Sequence, residues 1–287
     1  MQAIRSILVV MEPGQQPSLP LNRAKLLAGV TQSRLHLLIC AKKQDHSAEL
    51  EQAAAALRQE GFEVTTQQAW HNSPHETILV VQRSEASELV VKQHFPDNPL
   101  KKALLTPDDW KLLRYSACPV LMVKTDRPWT GGVILAAVDV GNKDGEHRTL
   151  HAGIVSHGSE IAQLAKGSLH IITAHPSPML SAADPTFQVS ESIRATYLEK
   201  CKEFQRSNDI PDERLHVEEG PADVLIPHMA HKLDAVVTII GTVARTGISG
   251  ALIGNTAEVV LDMLESDVLV VKPDDILDRL EAVVAQR

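Results

Sequence analysis

Ser6 to Glu12 reads SILVVME and Val133 to Asp139 reads VILAAVD, two aliphatic runs that each end on a carboxylate. The echo continues downstream. Leu35 to Ala41 (LHLLICA) matches Leu169 to His175 (LHIITAH), and Cys118 to Lys124 (CPVLMVK) matches Asp267 to Lys272 (DVLVVK). The copies are offset by about 127 residues at the first pair and about 148 at the last, so the chain is a tandem repeat whose second copy is roughly 20 residues longer. Much of the surplus lies between His175 and Tyr197.

Short runs that are apolar on both faces, alternating with longer helical periodicity, predict a parallel sheet covered by crossover helices. In the first copy strands are expected at 6–12, 34–41, 62–69, 88–93 and 119–124; in the second at 133–140, 168–175, 214–219, 234–241 and 267–272. Glu49 to Leu57 is an Ala-rich helix closed by Gly61, and Glu146 to Lys166 a longer one closed by Gly167. Pro and paired Gly in Asp126 to Gly132 (DRPWTGG) mark the linker, which divides the chain into repeats 1–127 and 128–287. The fold class is therefore α/β: two tandem flavodoxin-like repeats, each a five-stranded parallel sheet with helices on both faces.

Composition narrows the function. Of 287 residues, 28 are Lys or Arg and 36 Asp or Glu, a formal charge of −8 with no long basic cluster, which argues against a nucleic-acid partner. Only 4 Phe, 3 Trp and 2 Tyr are present, too few for a base-stacking surface. No segment reaches the roughly 20 apolar residues of a membrane span, and Ile7 to Met11 is stopped by Glu12, Pro13 and Gly14, so a cytoplasmic protein without membrane insertion is expected. Cys40, Cys118 and Cys201 form no C-x-x-C pair and read as reduced core thiols. His228 with His231, and His71 with His75, have helical spacing but no third ligand, and no metal site is assigned. G-x-S-x-G is absent, and no residue earns a catalytic role.

Ligands of an open parallel sheet bind beyond the carboxyl ends of its strands. There the second copy carries Gly241 to Glu258, GTVARTGISGALIGNTAE, with glycines at 241, 247, 250 and 254 ahead of a helix bearing Val259, Val260, Met263 and Leu264. Such a loop lets backbone N–H groups approach a polyphosphate, which the helix N-terminus also favours. Asn255 followed by Glu258 also has capping-box spacing, so the Gly-Asn pair equally suits a plain helix start. Neither the Walker loop nor the dinucleotide fingerprint is present.

Gly241, Arg245, Gly247 and Gly254 with Asn255 and Thr256, lying between VVTII and VLVVK, resemble the universal stress proteins, whose nucleotide-binding members carry G-x-x-G-x9-G-[ST] here. The duplication resembles the tandem members; Trp70-His71-Asn72, Thr106-Pro107-Asp108-Asp109-Trp110 and Gly-Asn-Thr-Ala-Glu resemble their E type. Two positions depart from the motif: Ala244 replaces its second glycine and Asn255 its Ser or Thr. The resemblance implies ATP or a related adenine nucleotide, with Mg2+ accompanying it. Asp139, preceded by Ala137 and Val138, would take the adenine side, and Ala174 would lie nearby. Ile240 and Gly241 would border the ribose, with Gly254, Asn255 and Thr256 on the phosphates and Arg245 and Gly247 in the flanking loop. It further implies strand order 3-2-1-4-5 in each repeat and an intramolecular pair formed through the last strands, Val120 to Lys124 against Val268 to Lys272, with a homodimer of the whole chain as a further assembly.

The first copy differs. From Glu63 to Thr130 it has no glycine, and Lys92 to Leu105 (KQHFPDNPLKKALL) includes Pro96 and Pro99, so this stretch cannot form the same cradle. Lys92, Lys101 and Lys102 read as a solvated basic loop, Glu12 as a solvated strand end, and Trp110, Leu112, Leu113 and Tyr115 as a core stripe. Pro176 to Ser190 reads as a polar crossover. Two functions remain: a cytoplasmic stress-response sensor or regulator binding an adenine nucleotide in the second repeat and acting on an unidentified protein partner, or a nucleotide-free scaffold or carrier taking a protein or lipid-like ligand in the inter-repeat groove. A slow ATPase is a weaker third reading.

Overall fold

The computed structural model describes residues 4–15, 18–94, 108–141, 145–175, 187–242, 245–247, 250–252 and 255–273. The first repeat runs β1 (Ser6–Met11), α1 (Leu19–Thr31), β2 (Arg34–Cys40), α2 (Ser47–Gln59), β3 (Val64–Ala69), α3 (Pro74–Ser84), β4 (Leu89–Gln93), α4 (Asp108–Tyr115) and β5 (Val120–Val123). The second runs β6 (Val133–Ala137), α5 (Gly145–Ala165), β7 (Ser168–His175), α6 (Phe187–Ser207), β8 (Leu215–Glu219), α7 (Ala222–Lys232), β9 (Ala235–Gly241), β10 (Arg245–Gly247), β11 (Gly250–Leu252), α8 (Asn255–Met263) and β12 (Asp267–Val271). Every strand expected from the repeat is present, displaced by at most a few residues at its ends.

Strands β3-β2-β1-β4-β5-β12-β9-β6-β7-β8 form one ten-stranded sheet. Each half has the order 3-2-1-4-5 and is parallel throughout. The halves join where β12 meets β5 antiparallel, with Val268 opposite Met122, Leu269 opposite Leu121 and Val270 opposite Val120. This contact covers two sheet edges that would otherwise present unpaired backbone groups.

The period-2 geometry of a strand sends successive side chains to opposite faces. Ile7, Val9 and Met11 enter a core under α1, α2, α5 and α6, while Leu8 and Val10 enter a second core under α3, α4, α7 and α8. Both faces are covered, which is why the strands read as unbroken aliphatic runs. Local signals set the helix starts: Ser18 and Ser73 cap α1 and α3 through their hydroxyls, each with Pro in the first turn. At Gly167 a Cβ would stand 2.0 Å from the Gly132 carbonyl oxygen, so the turn between α5 and β7 requires glycine.

In α8, Val260, Leu261 and Leu264 fill the core while Val259 and Met263 face outward. Two expectations change here. The glycine-rich stretch holds a two-stranded antiparallel ribbon, Arg245 opposite Leu252 and Gly247 opposite Gly250, which occupies backbone that the loop reading left free for a ligand. The crossover is already helical by Phe187. Pro96, Pro99, Lys101, Lys102, residues 176–186, Ala244 and Gly254 lie outside the described residues. Trp110, Leu112 and Leu113 are buried, as the stripe on α4 predicts.

Candidate functional site

In the second repeat, β9, β6 and β7 are neighbours, and their carboxyl ends bring Gly241, Ala137 and Ala174 side by side. At Gly241 a Cβ would meet Leu150 Cδ2 at 2.6 Å and Ile154 Cδ1 at 3.0 Å, so this glycine admits the close approach of α5 to the strand end. Ile240 is buried beneath it.

Beyond β6, the N–H of Val138 bonds to the Ile172 carbonyl, and Asp139 turns outward. The Asp139 N–H donates to His151 Nε2 at 3.2 Å, and its carboxylate accepts the Gly141 N–H at 3.1 Å. Tyr197 of α6 rises over the same strand ends. Its hydroxyl donates to the Ala174 carbonyl at 3.1 Å and shares a hydrogen bond with Thr173, and its ring lies 5.2 Å from that of His175. Lys200 Nζ donates to the Gly141 carbonyl at 3.0 Å. Burial pushes the Tyr197 phenol up to about 12, so it is a neutral donor at every physiological pH. Tyr197, His151 and Lys200 were not legible as site residues, because nothing local marks them and the helices carrying them are placed by the core.

The backbone of Arg245 and Gly247 lies in the ribbon, while Asn255 and Thr256 open α8. Ala137, Val138, Asp139, Ala174, Ile240 and Gly241 are thus gathered at one end of the sheet. Gly254 falls outside the described residues. Thr242, the next residue after Gly241, is buried; its N–H bonds to the Val271 carbonyl, and its hydroxyl has no partner among the described residues.

The equivalent crevice of the first repeat is filled with charge. Lys92 is buried rather than solvated, its Nζ 2.9 Å from Asp109 Oδ1 and 3.0 Å from the Gln93 carbonyl oxygen. His94 Nδ1 lies 3.0 Å from Asp109 Oδ2. Burial alone would raise the Asp109 carboxyl, but the hydrogen bond from His94 and the charge of Lys92 outweigh it and hold the group below its usual range. Alongside, His75 Nδ1 is 2.7 Å from Asp108 Oδ1 and 3.0 Å from Ser73 Oγ; both contacts use one ring nitrogen, which is not the relay a nucleophilic serine needs.

Two doubly wound α/β repeats, joined edge to edge through β5 and β12, define the class of the protein. The model of the Universal stress protein family matches residues 7–124 and again 132–272, and the chain belongs to that family in tandem form. Among curated relatives it is similar to Universal stress protein E of Escherichia coli K12, 38% identical over 75% of this chain and 70% of that protein. Universal stress protein E of Photorhabdus laumondii is 34% identical over 79% and 75% of the two chains. A solved protein of unknown function from Pseudomonas aeruginosa PAO1 is 66% identical over 100% of this chain and 99% of its own, with a TM-score of 0.90. A universal stress protein from Archaeoglobus fulgidus shares the fold at 17% identity, TM-score 0.65, over 94% and 97%. No helix among the described residues is long and apolar enough to cross a membrane.

Proposed function

We propose that this chain is a cytoplasmic stress-response protein that binds an adenine nucleotide, such as ATP, in its second repeat and acts as a sensor or regulator rather than an enzyme. The difference between the two crevices carries this reading. Where the first repeat fills the crevice with Lys92, His94 and Asp109, the lysine and histidine both on the Asp109 carboxylate, the second places the uncharged Ile240, Gly241 and Thr242, the last with a buried hydroxyl left over. Small side chains at Ala137 and Ala174 keep the strand ends low. Tyr197 and His151 border the base side, while Gly254, Asn255 and Thr256 are the residues proposed to hold phosphates. The departures at Ala244 and Asn255 lower the expected affinity without removing the helix N-terminus that favours an anion.

The test is direct. Freshly purified protein is denatured, the released small molecules are identified by mass spectrometry, and the emptied protein is titrated with ATP in the presence and absence of Mg2+. The expected result is a co-purified or titratable adenine nucleotide whose binding is lost in Gly254→Asp. An empty site that also ignores added ATP overturns the proposal. A scaffold or carrier role is the second reading, favoured by a groove of about 360 Å³ lined by Val224, Pro227, His228 and Met263 beside Arg127 of the linker. Protein or lipid-like binding that survives Gly254→Asp and fails in Val224→Asp would establish it.

A further inference from the structure

Among the buried side-chain atoms without a hydrogen-bond partner in the described residues are Thr242 Oγ1, at the end of β9, and Arg114 Nε, on α4 of the first repeat. Thr242 is only 4% exposed. Their relation emerges from the pseudosymmetry of the sheet. Because Val120, Leu121 and Met122 face Val270, Leu269 and Val268, the approximate twofold relating the repeats passes through the Leu121–Leu269 pair. It places Gln93, paired with Val123, on Gly241, paired with Val271. His94, whose N–H bonds to the Val123 carbonyl, falls on Thr242, whose N–H bonds to the Val271 carbonyl.

The helices obey the same operation. Lys124 Nζ donates to the carbonyls of Leu261 and Leu264 at the end of α8, and Lys272 Nζ donates to those of Arg114 and Ser116 at the end of α4. The strand register places Ser116 on Leu264, each accepting from the other repeat's lysine, and two residues earlier it places Arg114 of α4 on Asp262 of α8. In the first crevice, Asp262 stands across the junction from His94, Oδ1 to Nε2 at 3.8 Å. In the second, the same operation assigns the position across from Thr242 to Arg114. The sign of the residue contributed by the other repeat is inverted, from carboxylate to guanidinium. The α4 helix also packs on β11, which borders the second crevice.

A half-buried guanidinium whose buried Nε lacks an acceptor, and a buried hydroxyl without a partner, are matched by an anionic oxygen. We propose that Arg114 of the first repeat is an anion-binding residue of the second repeat's crevice, placed across the pseudo-twofold to meet, with Thr242, a phosphate oxygen of the bound ligand. The inference rests on the nucleotide reading above and extends it: the second crevice is complete only when both repeats are joined.

The experiment titrates the full chain, as wild type, Arg114→Ala and Arg114→Lys, with ATP, adenosine and tripolyphosphate in a calorimeter, and records thermal midpoints without ligand. Truncating the side chain leaves the Arg114 carbonyl on Lys272, so the interface keeps its backbone contact. ATP affinity is expected to fall about ten- to a hundredfold in Arg114→Ala, with Lys intermediate and adenosine unchanged. Equal ATP binding by wild type and Arg114→Ala overturns the inference while leaving the nucleotide reading intact, as does an equal loss for adenosine and ATP. Tripolyphosphate bound by wild type and lost in Arg114→Ala, with no affinity for adenosine, supports Arg114 and removes the nucleotide reading. Failure of wild type to bind any of the three overturns both.

Discussion

Asp267 is wholly withdrawn from water, yet it is the best-satisfied carboxylate at the junction of the repeats. It accepts from Arg23 Nε at 2.7 Å, Trp129 Nε1 at 2.9 Å and the backbone N–H groups of Lys124 and Thr125 at 2.8 and 3.2 Å. Arg23 lies over the Trp129 ring at 5.0 Å and donates to the linker carbonyls of Thr125 and Arg127. Asp267→Ala would leave a buried guanidinium without its counterion, and a loss of about 3–5 kcal/mol in urea unfolding is expected. Lys272 raises a different issue. Burial pushes its ammonium down to about 7, with only Cys118 opposing. A lysine lowered in the folded state binds fewer protons there than in the unfolded chain, so stability rises with pH above about 7, while below it the full cost of the buried charge is present. Between pH 7 and 9 the wild type should gain about 1 kcal/mol per pH unit relative to Lys272→Met, measured from denaturation midpoints; parallel profiles would show that the helix-end carbonyls keep Lys272 charged.

At the scale of elements, α8 shows what periodicity conveys and what it omits. The sequence reading recognised an amphipathic helix bearing Val259, Val260, Met263 and Leu264 after the last glycine, but not which of these face the core. A helix end can rotate by a fraction of a turn at little local cost, and here the C-terminal attachment through Lys124 and the packing of Leu261 against the sheet set the angle. Leu261→Ala is therefore expected to cost about 2–5 kcal/mol, whereas Met263→Lys, at a side chain 54% exposed, should change stability by no more than about 0.5 kcal/mol in the same unfolding assay. The ribbon β10–β11 was illegible for another reason: its three-residue strands, rich in glycine, carry no alternation from which pairing can be read.

Across the whole molecule, one sheet runs through both repeats, and its centre is the only antiparallel contact among its described pairs. A chain cut to the proposed second repeat, 128–287, would expose the edge of β12 and lose Arg23 from Asp267. Light scattering on that fragment should find self-association, and a well-folded monomer would show that β12 needs no partner edge. The sequence alone determined the duplicated βα pattern, the strand positions and the loss of glycine from the first crevice, because these depend on residue type and near-neighbour spacing. The carboxyl-end cluster of Ala137, Ala174 and Gly241 was legible for the same reason: each ends a recognisable strand. Only the tertiary structure decided that Lys92 is buried against Asp109, that Tyr197 reaches the Ala174 carbonyl and that Asp262 stands across the junction from His94. Those relations join residues distant along the chain, and they arise from burial and from a twofold axis that no local stretch encodes.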